Sequence, residues 1–109
     1  MKTLDSYSAA TIQPIIRRVL KRAQIKENLN RCLNLITVAN KSGLCKLGAP
    51  RGYEGYAPVK LVAFPEFFLQ GWTAKADFEK YKKEILIEIP GEETDRLGER
   101  AKATRCFIA

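Results

Sequence analysis

Histidine is missing from all 109 residues. The side chain that most often titrates near neutral pH, and most often ligates metals, is therefore unavailable. Histidine triads and His-bearing zinc sites are excluded within this chain. Cysteine is sparse: Cys32, Cys45 and Cys106 are odd in number and widely spaced, with no C-x-x-C pair. That argues against a zinc knuckle or a dithiol redox motif. Reduced thiols in a cytoplasmic protein are the simplest expectation. No apolar run approaches the ~18 residues of a membrane span. The first residues carry Asp5 and lack a continuous apolar run, so no secretory signal is expected. Internal repeats and low-complexity segments are also absent.

What remains has ordinary globular composition, with 46% hydrophobic and 28% charged residues. One domain at most fits the length, and a chain of this size can bury roughly two-thirds of its unfolded surface. The charge is lopsided: 19 Lys plus Arg against 12 Asp plus Glu give a formal +7.

Along the chain, residues 7–16 (YSAATIQPII) carry no charge and several β-branched or aromatic residues, which suits a buried strand with Pro14 near its end. Residues 17–26 (RRVLKRAQIK) are strongly basic and fit a loop or a helical lead-in. Over 27–41 the apolar positions Leu29, Cys32, Leu33, Ile36 and Ala39 fall on one helical face, and Gly43 follows as a stop. Asn28 is assigned to the opposite, polar positions. Residues 44–58, rich in Gly and Pro, predict an irregular loop. LVAF, residues 61–64, is apolar on both faces, as a central strand covered on both sides would be. Residues 78–88 fit a short helix broken by Pro90-Gly91. Residues 92–104 open with acids and close with bases, in keeping with a helix macrodipole. The last residues, Cys106 to Ala109, predict another strand. Strand, helix, strand, helix, helix, strand is an α/β order.

Glu66 stands out as a candidate catalytic group. It follows an apolar strand and a proline and precedes Phe67 and Phe68. A carboxylate among such neighbours is expected to be desolvated and prepared to accept and return protons. Carboxyl ends of strands in open α/β sheets are also where active sites form. A solvated or Lys-paired glutamate at a strand end is the plain structural alternative.

The surrounding string, LVAFPEFFLQGW over 61–72, resembles the first catalytic motif of the nitrilase superfamily, the carbon–nitrogen hydrolases. IPGEETDRL, residues 89–97, is similar to the family segment that opens the next helix, and with LQG at 69–71 it looks like the aliphatic amidase and formamidase branch. NLNRCLNLITVANKSG, residues 28–43, resembles the first family helix, and AATIQP, residues 9–14, the first strand. The basic stretch 17–26 and the loop 44–58 depart from the family pattern by their length.

The resemblance implies an α/β fold, the N-terminal part of an α-β-β-α sandwich, with residues 1–109 a segment of one larger hydrolase domain. It implies hydrolysis of a small amide, with nitriles and N-carbamoyl compounds as lesser alternatives, and assembly into homo-oligomers. The family's Glu-Lys-Cys chemistry needs neither metal nor cofactor. Glu66 is the only member of that set carried over; Lys and Cys motifs are not found here, so the chain alone is expected to be inactive. Cys32 and Cys106 are expected in the core, and Cys45 in the loop.

The positive charge supports a second expectation. If helical, Arg18, Lys21, Arg22 and Lys26 share a face that could contact phosphates. A small basic module binding nucleic acid or protein is therefore the alternative. Nucleic acid is the less favoured partner, because aromatic residues do not interleave with the bases. A membrane-surface role is weaker still, since Val19, Leu20, Ala23 and Ile25 form no broad stripe.

Overall fold

A computed structural model describes residues 7–42, 57–72 and 78–109. Its elements are β1 (Ser8–Thr11), α1 (Arg22–Ser42), β2 (Val59–Ala63), α2 (Phe78–Glu84), α3 (Glu92–Thr104) and β3 (Phe107–Ile108). The expected order of strands and helices is observed. The loop expected over 44–58, with Cys45 in it, lies almost wholly outside the described residues.

The strands form a parallel sheet in the order β1-β2-β3, so β2 is central. β1 is much shorter than the uncharged run 7–16. The N–H of Ile12 still donates to Ala63 O at 2.9 Å, but the partner strand then turns away at Pro65, and Pro14 has no N–H to offer. At the other edge, Ala109 N donates to Val62 O at 2.9 Å and Phe64 N to Ala109 O at 2.8 Å.

Register explains how the sheet meets its core. Ala10, Val62 and Ile108 lie side by side across the three strands, and all three join the core. The alternate row, Ala9, Leu61 and Phe107, points the other way. Phe107 on that side is 78% exposed. The central strand is therefore covered on one face only. The expectation of burial on both faces fails among the described residues because α1 and α3 pack together on a single side.

α1 begins at Arg22, five residues before the periodicity suggested, because Ile25 extends the apolar stripe. Ile25, Leu29, Cys32, Leu33 and Ile36 are all at most 3% exposed. The start is fixed by Gln24, whose Oε1 accepts the N–H groups of Leu20 at 2.7 Å and Lys21 at 3.0 Å. Arg18 and Lys21 consequently lie outside the helix, and the single basic helical face does not form.

α2 ends at Glu84 rather than reaching residue 88. The N–H groups of Ile85 and Leu86 both close onto Tyr81 O, at 2.9 and 3.2 Å, and Ile85 then enters the core. α3 occupies the expected 92–104. Its N-terminal turn is tied by Thr94, whose Oγ1 accepts the Gly91 N–H at 2.8 Å, while Asp95 N donates to Gly91 O at 2.9 Å. A Cβ at residue 91 would lie 2.6 Å from Glu88 O, so only glycine fits there without a shift. No helix among the described residues is long and apolar enough to cross a membrane.

Candidate functional site

Glu66 sits where β2 ends, on the carboxyl side of the parallel sheet. The chain leaves the strand through Phe64-Pro65 and enters a turn over residues 66–70. Phe67 adopts φ 61, a left-handed conformation that is an outlier for a bulky residue and costs roughly 1–2 kcal/mol. Its carbonyl accepts the Gly71 N–H at 2.8 Å, closing the turn. Gly71 has φ +66, and a Cβ there would come within 3.1 Å of Arg17 O. Glycine is needed at 71 both for its conformation and for the approach of the 12–21 segment.

Aromatic packing braces the turn from within. Phe64 and Phe68 stack with ring centres 4.7 Å apart, and Phe67 meets Trp72 edge-on at 5.5 Å. Leu69 is 2% exposed and anchors the turn in the core.

The Glu66 side chain itself is exposed. The expectation of a dry carboxylate is thus not met among the described residues. The apolar residues around it in sequence point elsewhere: Leu69 into the core, and Phe64 and Phe68 against it.

Asn28 was placed on the polar side of α1 by periodicity, but it is 2% exposed. Its Nδ2 donates to Leu69 O at 2.9 Å and to Arg17 O at 3.2 Å. Its Oδ1 accepts from Arg31, which also donates to Ile15 O at 3.0 Å. The helix thereby satisfies carbonyls of the turn that carries Glu66 and of the 12–21 segment that approaches it at Gly71. The signal was present: Asn28 stands three residues after Ile25 and four before Cys32, inside the buried stripe.

The cysteines lie away from this turn. Cys106 precedes β3, and its Sγ donates to Val59 O, at the opposite end of β2, at 3.1 Å. Four strand steps, about 13 Å, separate Val59 from Ala63, and Glu66 lies beyond. Asn40 donates to the same sulfur at 3.3 Å. Cys32 is in the core of α1, where burial pushes its thiol up to about 11, partly offset by the charge of Arg31. A thiol held protonated in this way is a poor nucleophile. Both cysteines are buried, as expected, whereas Glu66 is exposed. Among the described residues, no three His, Cys, Asp or Glu side chains cluster as metal ligands would.

Two cations of the basic segment are engaged with α3. Arg22 donates to Glu93 Oε1 at 2.6 Å and to Leu86 O at 2.8 Å. Lys26 Nζ lies 3.7 Å from Glu92. Arg17, Arg18 and Lys21 are exposed.

Comparison with known proteins bears on the same residues. A family model described as carbon-nitrogen hydrolase matches residues 8–109. A formamidase of Bacillus cereus (strain Q1) is 26% identical over 107 residues, which is 98% of this chain and 27% of that protein. The chain thus spans little more than a quarter of the length of the curated relative it matches. With the family match running from the first strand to the last residue and taking in the Phe-Pro-Glu turn, this chain belongs to the carbon–nitrogen hydrolase family.

Proposed function

We propose that this chain is the N-terminal part of an amide-hydrolysing carbon–nitrogen hydrolase and that Glu66 is its general base. The observation that carries the proposal is the placement of Glu66 at the carboxyl end of the central parallel strand, on a turn that holds Phe67 at φ 61. Backbone strain persists where surrounding structure enforces it, and it clusters at functional sites. Asn28, Gly71 and the stacked phenylalanines supply that enforcement.

In this reading a cysteine and a lysine come from polypeptide beyond these 109 residues. Glu66 takes the proton of the thiol as sulfur attacks the amide carbon, and returns it to the nitrogen, which leaves as ammonia when the carbon–nitrogen bond breaks. It then takes a proton from water as the water oxygen attacks the acyl-sulfur carbon; the carbon–sulfur bond breaks, the acid leaves, and Glu66 passes the proton to the departing sulfur, restoring the thiol and the carboxylate. The lysine ammonium stabilises the negative oxygen of each tetrahedral intermediate. Glu66 is exposed in this chain, so in this reading its desolvation comes from the polypeptide that brings the cysteine and lysine. The bare sheet face carrying Phe107 would be covered by a second sheet, completing a four-layer α-β-β-α sandwich. A small amide such as formamide is the substrate class the formamidase similarity favours, and the complete enzyme is a homo-oligomer.

The test is ammonia release from formamide and acetamide by the protein isolated from its native source, with any accompanying chain, as wild type and as Glu66→Gln. General-base loss should lower turnover about 10²–10⁴-fold. The thermal midpoint should hardly move, because exposed substitutions stay within about 0.5 kcal/mol. Unchanged turnover in Glu66→Gln would reject the assignment.

A further inference from the structure

We infer that Asn28 is a positioning residue for Glu66: from α1 it holds the turn that carries the carboxylate, and the 12–21 segment beside it, in one fixed arrangement. This rests on the hydrolase reading above and assigns to that site a residue that acts through the backbone.

Two polar side chains are buried among the described residues, Asn28 and Glu93. A buried polar group is costly unless its hydrogen bonds are met. Glu93 joins α3 to Arg22 of α1. Asn28 instead serves irregular backbone. It stands in the apolar stripe of α1, where a leucine would bury more apolar surface. A leucine could not supply donors. Nδ2 of Asn28 donates to Leu69 O at 2.9 Å and to Arg17 O at 3.2 Å, which uses both its N–H groups. Oδ1 accepts from Arg31 at 3.1 Å, and the same Arg31 nitrogen donates to Ile15 O at 3.0 Å. One amide thus ties α1 to two segments at once.

The turn needs that tie. It is closed by a bond from Gly71 N to Phe67 O at 2.8 Å, and a single turn of this kind is weak on its own. Phe67, at φ 61, adds strain that something else must hold. The direction in which the Glu66 side chain leaves the backbone is set by this turn, and Leu69 O lies three residues along it. Gly71 packs against Arg17, where a Cβ would come within 3.1 Å of Arg17 O. The two carbonyls that Asn28 holds therefore belong to segments already in contact. The support behind them is firm, for Ile25, Leu29 and Cys32 are at most 1% exposed. Misplacing a reacting group by about 1 Å can cost about 10²-fold in rate.

Asn28→Ala removes both donors. Asn28→Asp keeps the shape and the Arg31 contact but offers no donor, and it is run beside the alanine variant. Leu33→Ala, at a 3% exposed position of the same helix, is the control for lost stability alone. In the full chain, amide exchange of Gly71 is followed by NMR against that of Ile36 in the same sample. The ratio of Gly71 to Ile36 exchange should rise at least tenfold in both Asn28 variants and stay within about twofold in Leu33→Ala. Ammonia release from formamide is then measured on protein prepared as for Glu66→Gln. Each Asn28 variant should lower kcat at least tenfold and leave KM within about threefold. Added to Glu66→Gln, it should lower kcat no further, because the group it positions is gone. An unchanged exchange ratio, the same change in Leu33→Ala, or an equal loss of kcat with and without Glu66 would each overturn the inference. If Glu66→Gln by itself leaves turnover intact, the base assignment falls, and the exchange ratio still decides whether Asn28 holds the turn.

Discussion

α1 and α3 pack side by side over one sheet, yet they are held there by different physics. α1 buries five apolar side chains in succession along one face. α3 buries a single residue, and that residue is charged: Glu93, 4% exposed. What fastens α3 is polar: Arg22 to Glu93, Arg96 to Asn30, and Arg100 to Thr37. Of its apolar positions, Leu97 is only partly buried against the core, and both it and Ala101 also line the open groove against β3. Such a helix draws less of its stability from apolar burial than α1 does.

The comparison breaks most visibly under truncation to alanine. Leu29 is 1% exposed, and Leu29→Ala should cost about 2–5 kcal/mol, measured by urea unfolding. Leu97→Ala should cost less than about 1 kcal/mol, since the leucine is only partly covered. Equal losses would mean that α3 is as much a core helix as α1.

The polar fastening predicts an asymmetry. Arg22 is accessible at its outer side, while Glu93 is enclosed and its Oε2 has no hydrogen-bond partner. Arg22→Ala strands a buried carboxylate and should cost about 1–3 kcal/mol. Glu93→Leu removes that carboxylate and leaves Arg22 free to turn toward water, so the loss should be smaller or absent. A larger loss for Glu93→Leu than for Arg22→Ala, by urea denaturation, would show that the ion pair itself holds α3.

These differences were unevenly legible in the sequence. The bounds of α3 could be read because local signals agree there: Pro90-Gly91 before it, acids first, bases last. The central strand and the stripe from Leu29 to Ile36 were legible for the same reason. The start of α1 was masked by charge, for the basic residues around Ile25 hid a position that is fully buried. The role of Arg22 was invisible because its partner lies 71 residues away; the burial of Asn28 could be read from its place in the stripe, but not its partner 41 residues away. Glu66 was legible as a motif but not as an environment. Which side of a turn faces water depends on elements distant in the chain, and the apolar neighbours of Glu66 turned inward without it.

The smallest effect is expected at the last turn of α3. Arg105 has φ 54 and ψ 40, a left-handed conformation that glycine adopts more readily. The geometry is a Schellman close, with Arg105 N donating to Lys102 O at 3.2 Å and Cys106 N to Ala101 O at 3.1 Å. It delivers the chain directly into β3 and seats Cys106 against Val59 O. The side chain is exposed and lacks an ion-pair partner among the described residues, so its loss removes little. Arg105→Gly should relieve the strained backbone and raise stability by about 0.5–1 kcal/mol in urea, because relief of the left-handed cost exceeds the added freedom of the unfolded chain. An unchanged or lowered urea midpoint for Arg105→Gly would show that the left-handed backbone carries no strain worth relieving.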